Sequence, residues 1–203
     1  MMKNIILSKL EELSQTIMDQ TEIPEGVLKE IEDQIDQISD QILRPAQIEE
    51  APKPLASNNQ DVIEIWSDGA CFGNPGPGGW ACVIKTGEET FEYSGFLDKT
   101  TNNIMEMTAA LEGIKKTAPG SKLNLTSDSQ YLIKGMTSWI HQWKKKNWKK
   151  ADGSDVLNQA VWKELDKESR ERKIKWIWTK GHADDPLNER CDQLAKEAIQ
   201  DNR

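Results

Sequence analysis

From residue 61 onward, three short runs of β-forming residues follow one another, joined by a glycine-rich bend and a turn, and after them helices and strands alternate. The runs are Ile63 to Asp68, Trp80 to Lys85 and Glu89 to Phe96, the last two separated by a turn at Gly87-Glu88. Asn102 to Lys116 then has a helical apolar face of Met107, Ala110, Leu111 and Ile114 and stops before Pro119-Gly120. A fourth strand is expected at Leu123 to Asp128, a helix at Ser129 to Gly135, and a Trp- and Lys-rich stretch at Trp139 to Lys150. A helix from about Asp155 to Ser169 and a fifth strand at Lys173 to Trp178 follow. Asp185 and Pro186 are a good N-cap and first-turn pair for a last helix with Leu187, Cys191, Leu194, Ala195 and Ala198 on its buried side. This order predicts an α/β fold: a mixed five-stranded sheet, three antiparallel strands then two parallel, with helices on its faces.

The preceding 60 residues have a different texture. Ile6, Leu10, Leu13 and Ile17, and then Leu28, Ile31, Ile35, Ile38 and Ile42, recur at helical spacing on either side of Pro24. They predict an α-helical hairpin over 1–43, and the prolines and Ser57-Asn58-Asn59-Gln60 make 44–60 a linker to a domain at 61–203. Two helices bury little apolar surface alone. The stripe therefore calls for a homodimer, another protein partner, or the domain that follows the hairpin, unless the hairpin is only partly ordered.

The net charge of -8 appears to argue against a nucleic-acid partner, but residues 1–60 hold 5 basic and 12 acidic residues, leaving 21 and 22 for the remainder. No apolar run approaches the ~20 residues that cross a bilayer, and the N-terminus reaches Glu11 and Glu12 before any signal-peptide core develops. The expectation is a cytoplasmic protein without membrane contact. Cys71, Cys82 and Cys191 have neither disulfide nor zinc spacing.

Four acidic residues stand at strand ends or on helix faces that could converge: Asp68 after the first strand, Glu106 in the first helix, Asp128 after the fourth strand and Asp192 in the last helix. Singly, each passes for a turn former or a solvated helix residue. Together, carboxylates repel unless a cation joins them, and hard oxygens suit Mg²⁺.

The blocks Ser67-Asp68-Gly69, Thr100-Thr101-Asn102-Asn103-Ile104-Met105-Glu106, Thr126-Ser127-Asp128-Ser129-Gln130 and Gly181-His182-Ala183 to Asp192 resemble, in order and spacing, ribonuclease H of type 1, the bacterial form in particular. The resemblance runs from about residue 61 to the end. It implies an endonuclease that cuts the RNA strand of an RNA–DNA hybrid, leaving 5′-phosphate and 3′-hydroxyl ends, with two Mg²⁺ ions on Asp68, Glu106, Asp128 and Asp192 and with the choice between Mg²⁺ and Mn²⁺ left open. His182 would assist proton transfer or product release. By the same resemblance Asn74, Asn102, Asn103 and Gln130 face the RNA strand, and glycines 76, 78 and 79 let the backbone approach it. Tyr131, Trp139 and Trp143 would lie near deoxyribose, Lys99, Thr101 and Asn158 would form a DNA-phosphate pocket, and Lys144, Lys145, Lys146, Lys149 and Lys150 a basic protrusion on the DNA strand. Ile104 stands where the family commonly has a basic residue, and residues 1–60 do not resemble the hybrid-binding module of some members. The alternatives are a decayed hybrid-binding protein, against which the intact carboxylate set speaks, and a metal-dependent DNA nuclease on the same sheet.

Overall fold

A computed structural model describes residues 54–55, 62–181 and 185–202. The hairpin expected over 1–43, the linker apart from Pro54 and Leu55, and His182 lie outside them. The strands are β1 (Ile63–Cys71), β2 (Gly76–Thr86), β3 (Glu89–Thr100), β4 (Lys122–Ser127) and β5 (Lys173–Trp178). They form one five-stranded sheet in the order β3-β2-β1-β4-β5. Antiparallel pairing joins β1 to β2 and β2 to β3, and parallel pairing joins β1 to β4 and β4 to β5. The helices are α1 (Asn102–Lys115), α2 (Gln130–Lys134), α3 (Ile140–Lys145), α4 (Gln159–Arg170) and α5 (Pro186–Gln200), with a π-helical turn at Gly135–Trp139 between α2 and α3. No helix among the described residues is long and apolar enough to cross a membrane.

Alternation along β1 divides the core. Ile63 and Ile65 pack with Met107, Ala110, Ile114, Leu125, Leu132 and Trp162 on the α1 side, while Trp66 and Ala70 join Ala81, Val83, Cys191 and Ala195 on the α5 side. Thr101 starts α1 by accepting a hydrogen bond from Ile104 N. Asp185 caps α5 by accepting from Leu187 N and Asn188 N, and its other oxygen accepts from the Trp66 indole at 3.0 Å, tying β1 to the start of α5.

Several boundaries differ from expectation, among them the start of β2 at Gly76 and the end of β3 at Thr100. Asp68 does not end β1: it pairs with Ala81, and the ladder continues to Cys71 opposite Gly78. The helix expected from Asp155 begins at Gln159, because Lys149 and Asp155 form a bridge and Asn158 is left-handed at φ 58. The Trp/Lys stretch leaves helical geometry after Lys145, with Asn147 and Trp148 both at positive φ. Leu55, expected in a free linker, is fastened beside the end of α1: its N–H donates to Lys116 O at 2.8 Å and its carbonyl accepts from Ala118 N at 2.9 Å.

Candidate active site

Asp68 is buried in the centre of the sheet, 8% exposed, and its Oδ1 accepts a hydrogen bond from Gly69 N at 2.7 Å. Gly69 belongs there for space: a Cβ would come within 2.3 Å of Glu106 N, so the glycine is what allows α1 to cross β1 beside the aspartate. Glu106 is held at both oxygens, Oε1 by Asn102 Nδ2 at 2.9 Å and Oε2 by the Ser129 hydroxyl. Asp128 follows β4, and its backbone carbonyl accepts from the Trp178 indole at 3.1 Å. Gly181 packs against its carboxylate, where a Cβ would come within 2.6 Å of Oδ2. Asp192, on α5, receives Lys196 Nζ at 2.7 Å.

These four groups share one electrostatic environment. Burial, and then the charges of Asp128, Asp192 and Glu106, push the Asp68 carboxyl up to about 8 against the opposing hydrogen bond from Gly69. Burial raises Glu106 as well; the Ser129 hydrogen bond opposes the shift and Asp128 adds to it. Among the described residues no three acidic, histidine or cysteine side chains close into a finished ligand set. Asp68, Glu106 and Asp192 instead direct oxygens to the nearer donors just named, while Asp128, Asp192 and Glu106 remain close enough to perturb Asp68.

Beside this cluster lies an aromatic wall. Trp162 on α4 is fully buried and donates its indole N–H to Tyr131 Oη at 3.3 Å, which Asn158 Nδ2 also approaches at 3.5 Å. Tyr131 meets Trp139 at 5.9 Å between ring centres, and Trp143 lies 5.7 Å from Trp139 and 5.4 Å from Trp162. Gly135 seats the π-helical turn on the Trp162 ring, where a Cβ would come within 2.0 Å. The turn delivers Trp139 to the surface, 37% exposed. It borders a groove of about 360 Å³ lined by Trp139, Gln142, Trp143, Lys146, Lys149 and Lys150 among others.

The five lysines expected to act together are not equivalent. Lys144 donates to buried Asp166 at 2.8 Å, which also receives Arg170, and so clips α3 to α4. Lys149 pairs with Asp155 at 2.9 Å. Lys145 and Lys146 are exposed and carry no ion pair among the described residues, and Lys150 is exposed as well, near Asp152, whose carboxyl is lowered chiefly by hydrogen bonds from Ser154 and to a smaller extent by the Lys150 charge.

A profile of the RNase H family matches residues 59–200. The chain belongs to the ribonuclease H family. The ribonuclease H of a Thermoanaerobacter species (strain X514) is 50% identical over 147 residues, covering 72% of this chain and 95% of that protein. Among solved structures, LC9-RNase H1, described as a type 1 RNase H with the type 2 active-site motif, superposes with a TM-score of 0.63 at 26% identity, covering 70% of this chain and 74% of the other. LC11-RNase H1 in complex with an RNA/DNA hybrid has the same fold, with a TM-score of 0.53 at 22% identity over 69% of this chain and 98% of the other. The match is to type 1, and the chain is a ribonuclease H hydrolase.

Within this ribonuclease H fold the expected substrate residues are spread over several elements. Gln130 is exposed at the start of α2, while Asn74 Oδ1 accepts from Asn102 N at 3.4 Å and Asn103 lies half-buried on α1. Asn102 has a task not expected of it, since its amide holds Glu106. Lys99 ends exposed on β3, Thr101 caps α1, and Asn158 precedes α4, which packs on α1. Glycines 76, 78 and 79 are closed in by the protein's own atoms: Cβ atoms there would meet Phe72 O at 2.0 Å, the Thr100 methyl at 2.3 Å and Ala195 O at 2.0 Å. Their smallness is therefore required by internal packing.

Sequence reasoning missed Ser129, Trp162, Asp166 and Trp178. Ser129 carried a signal as the residue between Asp128 and a helix, an N-cap place, and it does accept from Leu132 N at 3.2 Å.

Proposed function

We propose that this ribonuclease H hydrolyses the RNA strand of RNA–DNA hybrids at Asp68, Glu106, Asp128 and Asp192, leaving 5′-phosphate and 3′-hydroxyl ends. The observation that carries the reading is the convergence on Asp68 of carboxylates from α1, the end of β4 and α5: burial first, and then the charges of Asp128, Asp192 and Glu106, push its carboxyl up. Such a set fits Mg²⁺ by its chemistry, since all donors are hard oxygens. Asn188 Oδ1, buried one helical turn before Asp192 and without a partner among the described residues, adds another oxygen to that region. Bound by these four carboxylates, two Mg²⁺ ions would activate the attacking water and stabilise the leaving 3′ oxygen.

The chain's own residues supply the positioning. Asn102 and Ser129 fix the Glu106 carboxylate from both sides, and Gly69 N fixes Asp68. Gln130, with the asparagines at 74, 102 and 103, offers amides that both donate to and accept from 2′-hydroxyls. Across α2, Trp139 and Trp143 offer apolar faces to deoxyribose, with Lys145, Lys146 and Lys150 close to the phosphates. His182 keeps the role implied by resemblance, assistance to proton transfer or product release.

Labelled RNA–DNA hybrid, double-stranded RNA, single-stranded RNA and double-stranded DNA, each incubated with Mg²⁺ or EDTA, test the reading. Cleavage confined to the RNA of the hybrid, and stopped by EDTA, is expected. Cutting of double-stranded DNA in place of the hybrid would overturn it, and binding of the hybrid without any cleavage would point to the decayed alternative.

A further inference from the structure

Trp178 closes β5 in a way its neighbours do not explain. Trp176, two residues earlier on the same strand, packs against the core, but Trp178 is 48% exposed. An indole left half in water forgoes much of the apolar burial that makes tryptophan favourable in a fold. It is not loose: its Nε1 donates to Asp128 O at 3.1 Å, and the next residue, Thr179, donates its N–H to Ser127 O at 3.1 Å. The ring is therefore a fixed, half-open aromatic face bonded to the residue that carries a catalytic carboxylate.

The face borders a groove of about 260 Å³ whose other walls are Gln130, Ile133 and Lys134. These three positions stand at i, i+3 and i+4 of α2 and so share one side of the helix, whereas Tyr131 turns to Trp139 and Trp162 on the aromatic wall. Helix α2 thus separates two aromatic surfaces. One side carries the lysine-bordered groove of Trp139 and Trp143; the other adjoins Ser129, whose hydroxyl holds Glu106. Lys134 Nζ is drawn to Gln130 Oε1 at 2.9 Å, which places a cation at the rim and leaves the amide N–H groups of Gln130 for another acceptor.

We propose that Trp178, Gln130, Ile133 and Lys134 form a binding site for the RNA strand of the hybrid, where it runs on from the carboxylate cluster: a ribose or base lies against the indole, a phosphate beside Lys134 and a 2′-hydroxyl near the Gln130 amide. The proposal rests on the hybrid-cleaving reading above. A nucleic-acid strand is the occupant because the groove adjoins Asp128, through the Trp178 hydrogen bond to its carbonyl and through Gln130 two residues on, offers an aromatic face, and sets one cation near carboxylates that otherwise repel phosphate. The RNA strand is favoured because the opposite side of α2 already carries the surface suited to deoxyribose.

Steady-state kinetics of the Mg²⁺-loaded full chain test it, using a hybrid with a single cut site and versions whose RNA strand is trimmed from either end. Trp178→Ala is expected to raise KM about tenfold, the scale of one lost aromatic stack, with kcat within about twofold of wild type. Trp178→Phe, which keeps a ring and removes the indole N–H, should stay near the wild-type KM. Lys134→Gln should raise KM and flatten its salt dependence by about one phosphate contact. On an RNA strand trimmed so that it no longer reaches the groove, wild type and Trp178→Ala should converge. A fall in kcat at unchanged KM for both Trp178 variants would overturn the proposal, since the indole N–H would then serve only to position Asp128. An unchanged KM in both Trp178→Ala and Lys134→Gln would overturn it as well, leaving the groove to a different occupant such as a protein. Failure of the wild type to cut any hybrid would instead refute the functional reading on which the proposal stands.

Discussion

Replacing Gly69 with alanine should separate two carboxylates of the proposed site, Asp68 and Glu106, that a single missing methyl group keeps together. A Cβ at residue 69 would lie 2.3 Å from Glu106 N, 2.4 Å from Met105 C and 2.7 Å from Met105 Cβ. Ordinary contact between such atoms is about 3.5–4.0 Å, so β1 and α1 must part by roughly 1 Å or more. Two of the three clashing atoms are backbone, and no side-chain rotation relieves them. Overpacking of this kind costs about 1–3 kcal/mol, and the backbone contacts place Gly69→Ala near the upper end, a fall in Tm of roughly 5–10 °C for a domain of this size. The same displacement acts on Glu106 through its own peptide nitrogen, and a misplacement of about 1 Å costs on the order of 100-fold in rate. The assay pairs thermal unfolding with kcat on saturating hybrid. Gly87→Ala is the control: its φ is +60 and nothing lies within 4 Å of a Cβ there, so it should cost about 1 kcal/mol of backbone strain and leave kcat alone. Wild-type Tm and kcat in Gly69→Ala would refute the claim that this crossing sets the carboxylate geometry.

Ser129→Ala removes both a donor to Glu106 and the cap of α2, and should lower kcat about 10- to 100-fold with a stability loss of about 1 kcal/mol, read by kinetics and urea unfolding. Asp68→Asn should abolish cleavage and leave hybrid affinity largely intact, because the aromatic and lysine surface is built on other elements; a binding titration checks this. In that silent background, Lys145→Gln and Lys146→Gln should each flatten the slope of log Kd against log salt by roughly one unit, while Lys144→Gln, whose partner is Asp166, should act mainly on stability. In the native protein at pH 8 a thiol reagent should label half-buried Cys71 first. Burial pushes the Cys82 thiol up to about 12 and raises Cys191 beyond the usual thiol range, so the thiolate fraction at Cys82 is on the order of 10⁻⁴; mass spectrometry before and after denaturation reads the difference.

How far the sequence carried the reading depends on whether a signal was local. The α5 start was legible because Asp185-Pro186 is a cap by its own chemistry, and Asp185 does accept from Leu187 N and Asn188 N. Strand order was legible because three successive β runs leave little choice but a meander. The end of β1 was misplaced because Gly69, Gly76, Gly78 and Gly79 read as a loop by local preference. In the sheet Gly69, Gly78 and Gly79 pair or pack where only a missing side chain fits among β1, β2, α1 and α5, and Gly76 closes against Phe72 and Gly73 of the β1–β2 connection. That close approach is a tertiary fact, and the identity of glycine alone does not separate it from a turn.

The lysines of residues 144–150 show the same limit from the side of charge. Composition gives them one character, and a run of five without an intervening acid reads as one phosphate-binding surface. Their acids, however, come from 166 and 155, and only folding decides that Lys144 and Lys149 are neutralised while Lys145 and Lys146 are not. An ion pair to a buried carboxylate is worth keeping because breaking it strands a charge. Asp166, at 7% exposure, therefore commits Lys144 to holding α3 on α4. Exposed Asp155 makes no such claim: a surface pair contributes about 0–1 kcal/mol, so a phosphate can compete for Lys149. The salt slope of the wild type should accordingly count Lys145, Lys146, Lys150 and Lys149, and Asp166→Asn, by releasing Lys144, should steepen it while lowering Tm. A slope unchanged in Asp166→Asn would mean that Lys144 cannot reach the nucleic acid even when free.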